Sequence, residues 1–130
     1  TLRPGTDDIK EGTGVQILPN GAMFQGYFRD NKLQFLCSIL CENGNFYKGE
    51  CNQDLLEGKG VKVYSNGDKY VGSFKNNRKH DHGEYTYTNG DREIADFKDE
   101  QINGFSIYYY ADGRKEHRDY TKPSLFSKYS

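Results

Sequence analysis

The residues best placed for chemistry lie in the segment KHDHG, where His80, Asp81 and His82 follow one another. A His-x-His pair puts two imidazoles on one strand face, and a neighbouring carboxylate could add to a zinc site. No further Cys or His cluster completes such a set, and His80 stands in the column that Glu57 and Asn103 occupy elsewhere. The segment reads as a solvated turn, and no metal is expected. Cys37 and Cys41, four residues apart in a strand, would sit roughly 13 Å apart, too far to bridge. Cys51 falls in a column of aromatics and reads as a small core residue. No Gly-x-Ser-x-Gly nucleophile motif, phosphate-binding loop or dinucleotide fingerprint is present. The Gly-x-Gly pairs are not followed by a helix, so they do not cradle phosphate. No catalytic residue or cofactor is expected, and the chain reads as a non-enzyme.

Two basic groups remain. Lys75, Arg78, Lys79, His80 and His82 share one turn region, and Arg114, Lys115, Arg118 and Lys122 gather further on. Such groups can meet phosphoinositide head groups, which makes Lys75, Arg78 and Lys79 the lipid-binding candidates. Asp81, Glu84, Glu116 and Asp119 dilute them, so membrane lipid is the less favoured partner. A net charge of −1 points away from nucleic acid.

Bulk composition bounds what can position these groups. The 130 residues suit one domain. Only 34% are hydrophobic, yet 15% are aromatic, with eleven Tyr and eight Phe. A disordered chain is poor in aromatics; this one folds with little apolar interior, which suggests a thin structure. No apolar run is long enough for a membrane-spanning helix. No signal peptide is read, and the start at Thr1 without Met suggests a fragment or processed product. An odd cysteine count without Asn-x-Ser/Thr sequons favours a reducing, cytoplasmic setting.

The elements follow from a repeat. Gly21, Gly44, Gly67, Gly90 and Gly113 are spaced 23 residues apart, four of them preceded by Asn and the last by Asp. A fixed period of this length marks a repeat architecture. Three positions after the turn glycine come Phe24, Tyr47 and Tyr70; five after come Gly26, Gly49 and Gly72; seven after come Phe28, Cys51, Phe74, Phe97 and Tyr120. Each repeat reads as strand, polar turn, strand, Asn-Gly turn, the Asn-Gly pair being suited to a two-residue hairpin with positive φ at both positions. Ten strands follow, near 13–18, 22–28, 36–41, 45–51, 59–64, 68–74, 82–87, 91–97, 105–110 and 114–120. At about 4.8 Å per strand the meander is roughly 45–50 Å long.

With two-residue turns, cross-strand parity puts Phe24, Phe28, Leu36, Leu40, Tyr47, Val61, Val63, Tyr70, Phe74, Phe97, Ile107, Tyr109 and Tyr120 on one face. The other face carries Gly14, Gly60 and Gly83 with Tyr64, Tyr85, Tyr87, Tyr108 and Tyr110. A bulge at the turns would upset this assignment. Tyr64, Tyr87 and Tyr110 recur every 23 residues and form a stripe, read either as a partner contact or as cross-strand packing of half-exposed rings. The segment LQFLCSIL, Leu33 to Leu40, is apolar on both faces and should be covered. A symmetry mate, a partner helix or the tail SLFSKYS would serve, which makes Leu36 and Ile39 contact candidates and a homodimer an alternative.

The period, the Tyr-x-Gly-x-Phe of YVGSF (Tyr70, Gly72, Phe74) and the Gly-x-Gly of GKG (Gly58, Gly60) resemble the MORN repeat family. The likeness spans residues 11–120 and weakens at the ends, where Glu93 and Ala95, then Glu116 and Arg118, replace the aromatic and glycine. Phe35 and Cys37 take the Gly-x-Gly positions of the first repeat. The expected organisation is a repeat domain over 1–122, with a partial repeat at 1–20, better repeats from 21, 44 and 67 and degenerate ones from 90 and 113, then a tail at 123–130. Phe24, Gly26, Phe28, Tyr47, Gly49, Tyr70, Gly72 and Phe74 form its structural core. The resemblance implies an all-β, elongated, single-layer antiparallel sheet. It also implies a scaffold that presents an aromatic groove to a helix or extended segment of a protein partner, in a cytoskeletal or ciliary assembly. The alternatives it brings are a phosphoinositide tether or a regulatory piece of a lipid kinase or lysine methyltransferase.

Overall fold

The structure is a computed structural model that describes residues 11–121. Residues 1–10 and the tail at 123–130, including SLFSKYS, lie outside the described residues. Ten strands make up the fold: β1 (Gly12–Ile17), β2 (Met23–Arg29), β3 (Lys32–Leu40), β4 (Phe46–Asn52), β5 (Leu55–Val63), β6 (Lys69–Lys75), β7 (Arg78–Thr86), β8 (Arg92–Lys98), β9 (Gln101–Tyr109) and β10 (Lys115–Asp119). They pair in chain order, each antiparallel to the next, in one open sheet.

The Asn-Gly turns are longer than two residues. In the third, the Tyr64 carbonyl accepts from Gly67 N at 2.9 Å and Tyr64 N donates to Asp68 O at 2.8 Å. The loop is therefore three residues, closed by the pair Tyr64–Asp68, and only its glycine has positive φ (Gly67, 99°). This is a tight turn followed by a glycine bulge. Asn66 serves by another route: its Oδ1 accepts from Asp68 N at 2.9 Å. The same bond recurs from Asn20, Asn43, Asn89 and Asp112.

The two-residue turns lie at the opposite edge of the sheet. Asp30-Asn31, Gln53-Asp54, Asn76-Asn77 and Asp99-Glu100 have positive φ at both positions and close pairs such as Lys75↔Arg78. Consequently β3, β5, β7 and β9 begin about four residues before their expected starts. The supposed turn at His80–His82 is strand β7. Each of these strands carries two extra residues, and the register shifts beside Gly26, Gly49, Gly72 and Ala95. At the bulges stand Phe35, Gly58, Asp81 and Gly104, all with positive φ. The first glycine of the Gly-x-Gly motif is thus a bulge residue, replaced in two repeats by Phe35 and Asp81.

The extra turn residue corrects the expected faces. Pairing runs Tyr70↔Lys62, not Tyr70↔Val63, because the loop holds three residues instead of two. One residue of slip moves a whole strand's side chains to the other side. Tyr64, Tyr85, Tyr87, Tyr108 and Tyr110 therefore share the front face with Phe24, Tyr47, Tyr70 and Phe74. Leu36, Leu40, Val61, Val63, Ile107 and Tyr109 lie on the back.

The core is one layer of front-face side chains packed along the sheet. A column of small residues crosses it: Gly14, Gly26, Cys37, Gly49, Gly60, Gly72, Gly83, Ala95 and Ser106 face one another in successive pairs. The Tyr47 and Tyr70 rings lie on this column, and their hydroxyls donate to the carbonyls of Glu50 (2.6 Å) and Ser73 (3.0 Å). A Cβ at Gly60 would come within 2.5 Å of the Tyr47 hydroxyl, and one at Gly83 within 2.3 Å of that of Tyr70. Each ring also meets the phenylalanine of the next repeat edge-on, Tyr47–Phe74 at 5.0 Å and Tyr70–Phe97 at 5.2 Å. Both tyrosines, with Phe28 and Leu33, are almost fully buried.

Candidate functional site

The front face beyond the core carries a ladder of rings. Centroids are 5.7 Å apart for Tyr64–Tyr85, 4.9 Å for Tyr85–Tyr87, 5.7 Å for Tyr87–Tyr108 and 4.8 Å for Tyr108–Tyr110. All five are half-buried. Four of their hydroxyls donate to carboxylates: Tyr85 to Asp68 (2.8 Å), Tyr87 to Glu93 (3.0 Å), Tyr108 to Asp91 (2.6 Å) and Tyr110 to Glu116 (2.9 Å). Tyr64 instead accepts from Lys79 Nζ at 3.3 Å. Burial pushes the Tyr64 phenol up to about 12. Burial, joined by the carboxylate partners, also raises Tyr85, Tyr87 and Tyr108. The bond from Tyr108 holds Asp91 below its ordinary value. The same aspartates tie successive repeats, because Asp68 also accepts from Thr88 N and Asp91 from Ala111 N.

Lys79 occupies the position held by Leu33, Leu56 and Ile102 in other repeats. Its Nζ lies 5.1–5.6 Å from the ring centres of Tyr64, Tyr70, Tyr85 and Phe97, and its side chain is only 12% exposed. Desolvation lowers its pKa. This corrects the expectation that Lys79 faces a lipid head group: the ammonium sits inside an aromatic box. Lys75 and Arg78 are exposed, with Arg78 3.8 Å from Asp99.

The segment Leu33–Leu40 divides between the faces. Leu33 and Cys37 are in the core and Ile39 packs against it, while Leu36 is 67% exposed on the back. The segment's front-facing half is covered by its own sheet. Cys37 and Cys51 are buried together, and burial raises both thiols.

Two features escape the sequence reading. Glu93 is buried, at 1% exposure, and accepts from Ser106 Oγ (2.6 Å), Tyr87 (3.0 Å) and Tyr120 (2.7 Å). Its signal was the joint change of three columns, Tyr to Glu at 93, Gly to Ala at 95 and Gly to Ser at 106. The back face is the second. Val15, Ile17, Leu36, Leu40, Phe46, Val71 and Phe105 are exposed there, and hollows of about 520 and 410 Å³ open over its centre.

The MORN repeat profile matches residues 6–23, 47–69 and 70–92, so the chain carries MORN repeats at these three segments. No curated protein matches the chain. Among solved structures, a chain from the structural analysis of the microcephaly protein CPAP G-box domain, suggested to have a role in centriole elongation, is similar at 17% identity and a TM-score of 0.32. The match covers 82% of this chain and 63% of that one. No helix among the described residues is long and apolar enough to cross a membrane.

Proposed function

We propose that this chain is a non-catalytic repeat scaffold that binds a helix or extended segment of a protein partner along the front-face ladder. The observation that carries the reading is the continuity of Tyr64, Tyr85, Tyr87, Tyr108 and Tyr110, half-exposed rings whose hydroxyls are already engaged. Rings held in place lose little freedom on binding and supply large contact areas. Ile39 borders the ladder's face, and Leu36 offers a separate contact on the back. A cytoskeletal or ciliary assembly is the setting that the family resemblance supports.

The test is affinity capture from the source cell with the wild type beside Tyr64→Ala/Tyr87→Ala, read by mass spectrometry and paired with melting curves. A partner retained by the wild type and lost by the folded variant supports the reading. A variant that keeps the partner, or loses it only because it unfolds, sinks it.

A further inference from the structure

Carboxylates enter the ladder mainly from one column of the repeat. The residue after the turn glycine is Ala22, Asn45, Asp68, Asp91 and Arg114 in turn, so the column becomes acidic where the rings begin. Asp68 accepts from Tyr85, Thr88 N and Asn66 Nδ2, and Asp91 from Tyr108, Ala111 N and Asn89 Nδ2. Glu93 accepts from three hydroxyls. All these donors are neutral, and none of the three carboxylates has an ion-pair partner among the described residues.

The cations at the ladder are Lys62, Lys79, Arg114 and Arg118. Lys79 is matched by Glu100 at 4.0 Å, Arg114 by Asp112 at 2.8 Å and Arg118 by Glu116 at 2.7 Å. That leaves Lys62 against Asp68, Asp91 and Glu93, one positive charge against three negative. Lys69 and Arg92 stand in the back-face row with Thr86 and Tyr109. Asp91 and Glu93 are buried, where salt screens a charge poorly.

The rings add to this field. A phenol that donates to a carboxylate is polarised, and its electron-enriched face holds a cation more firmly. The chain already places its own cations there. Lys62 lies 5.1 Å from the Tyr64 ring centre, Lys79 5.1 Å from that of Tyr85, Arg118 3.9 Å from Tyr108 and Arg114 4.4 Å from Tyr110. Tyr87, at the middle of the ladder, has no such cation among the described residues, although its hydroxyl is bonded to Glu93. The sequence gives the reason: one period after Lys79 the same position is Ile102. Tyr87 is thus a half-exposed, electron-rich ring in a negative stretch, without the cation that each of its neighbours carries.

We infer that the segment held by the ladder is basic, with an arginine or lysine of the partner lying over Tyr87 between Tyr85 and Tyr108. This deepens the scaffold reading and rests on it. Opposite charge and an exposed ring face together select that side chain.

The probe is a random dodecapeptide display library selected on the whole chain, with the recovered peptides measured by fluorescence anisotropy. Peptides rich in Arg and Lys are expected. Their affinity should fall at least tenfold in Asp68→Asn/Asp91→Asn, which removes charge but keeps an oxygen acceptor for each tyrosine. It should fall as far in Tyr64→Ala/Tyr87→Ala and stay unchanged in the back-face variant Val71→Ala. Should the asparagine pair misfold by circular dichroism, the peptide decides: replacing its Arg and Lys by Gln should cost the same tenfold on the wild-type chain. Acidic or neutral peptides that are lost with the two tyrosines overturn the basic partner and leave the ladder reading standing. So do basic peptides that bind the folded asparagine pair, or survive Gln replacement, with full affinity. Peptides indifferent to the tyrosine pair, or recovery of no peptide, overturn the inference together with the ladder.

Discussion

The middle of the sheet and its C-terminal end share one register but fill it with different chemistry. In the middle, Tyr47 and Tyr70 lie on Gly49, Gly60, Gly72 and Gly83, a dry arrangement in which each hydroxyl meets a backbone carbonyl. Toward the C-terminus the same positions are Glu93 and Glu116 over Ala95, Ser106 and Arg118. There the layer is a polar network: Glu93 gathers three hydroxyls, and Arg118 bonds Glu116 at 2.7 Å while stacking 3.9 Å from the Tyr108 ring centre. Glycine at 60 and 83 is therefore demanded by the ring above it, and at 49 and 72 by that ring together with the backbone of the facing strand. Where the ring is replaced by a carboxylate, the column regains side chains. A polar layer holds only while every member stays bonded, so the two halves should fail differently.

The largest expected effect is alkaline unfolding. The phenols of Tyr47, Tyr64, Tyr70, Tyr85, Tyr87, Tyr108 and Tyr120 are all raised, by burial first. The folded chain keeps protons that the unfolded chain releases near pH 10. Their stabilisation is complete below that pH and is lost as pH climbs through the folded values. Melting temperature should hold up to about pH 9 and fall steeply above 10. Hydrogen exchange should show the C-terminal strands opening first, because there each phenolate would face a carboxylate. Uniform opening along the sheet would erase the distinction between the halves.

Valine at one register position tests the glycine rule. A Cβ on Gly72 would lie 2.6 Å from Gly83 Cα and from the Tyr70 hydroxyl, and backbone cannot yield as a side chain can. Gly72→Val should cost more than about 3 kcal/mol, the upper range for overpacking. Ala95→Val, one repeat on, should cost about 1 kcal/mol. Denaturant midpoints compare the two, and equal losses would break the argument.

Converting one half into the other is sharper. Glu93→Tyr alone sets a ring against Ala95 and Ser106 and removes the acceptor of Tyr87 and Tyr120, a loss of about 3 kcal/mol. Adding Ala95→Gly and Ser106→Gly should recover about half of that. The recovery, read in urea melts, measures the coupling between ring and column. Strictly additive losses would mean that the three columns change independently.

These tests lean on features that the chain's text shows unequally. The 23-residue period, the antiparallel meander and the turn sites were legible, because glycine and Asn-Gly recur at fixed spacing. The faces were not. Asn-Gly suits both a two-residue turn and a three-residue turn with a glycine bulge, and the choice flips every side chain of a strand. The true two-residue turns, such as Gln53-Asp54 and Asp99-Glu100, lack that signature and take positive φ without glycine. The ladder residues could be named from their period, but the carboxylates that fix them could not, since Asp68 and Asp91 come from turns 17 residues before the rings they hold. Lys79 was misread for a related reason: with β7 taken to begin at residue 82, its place in the Leu33–Leu56 column stayed hidden.

Lys79 supplies the smallest effect and marks the border between the halves. Its ammonium is held by four rings and the Tyr64 hydroxyl, with Glu100 Oε2 at 4.0 Å. Burial of the charge opposes this binding, as its lowered pKa records, and a nearly buried ion is often bettered by a hydrophobic residue of similar size. Leucine already fills the equivalent positions at 33 and 56, both buried against the same layer. Lys79→Leu should therefore raise stability by about 1 kcal/mol, seen as a higher urea midpoint with an unchanged slope. If Lys79→Leu lowers stability instead, the cation is a structural keystone of the ladder. The transition from the dry to the polar layer would then begin one repeat earlier than Glu93.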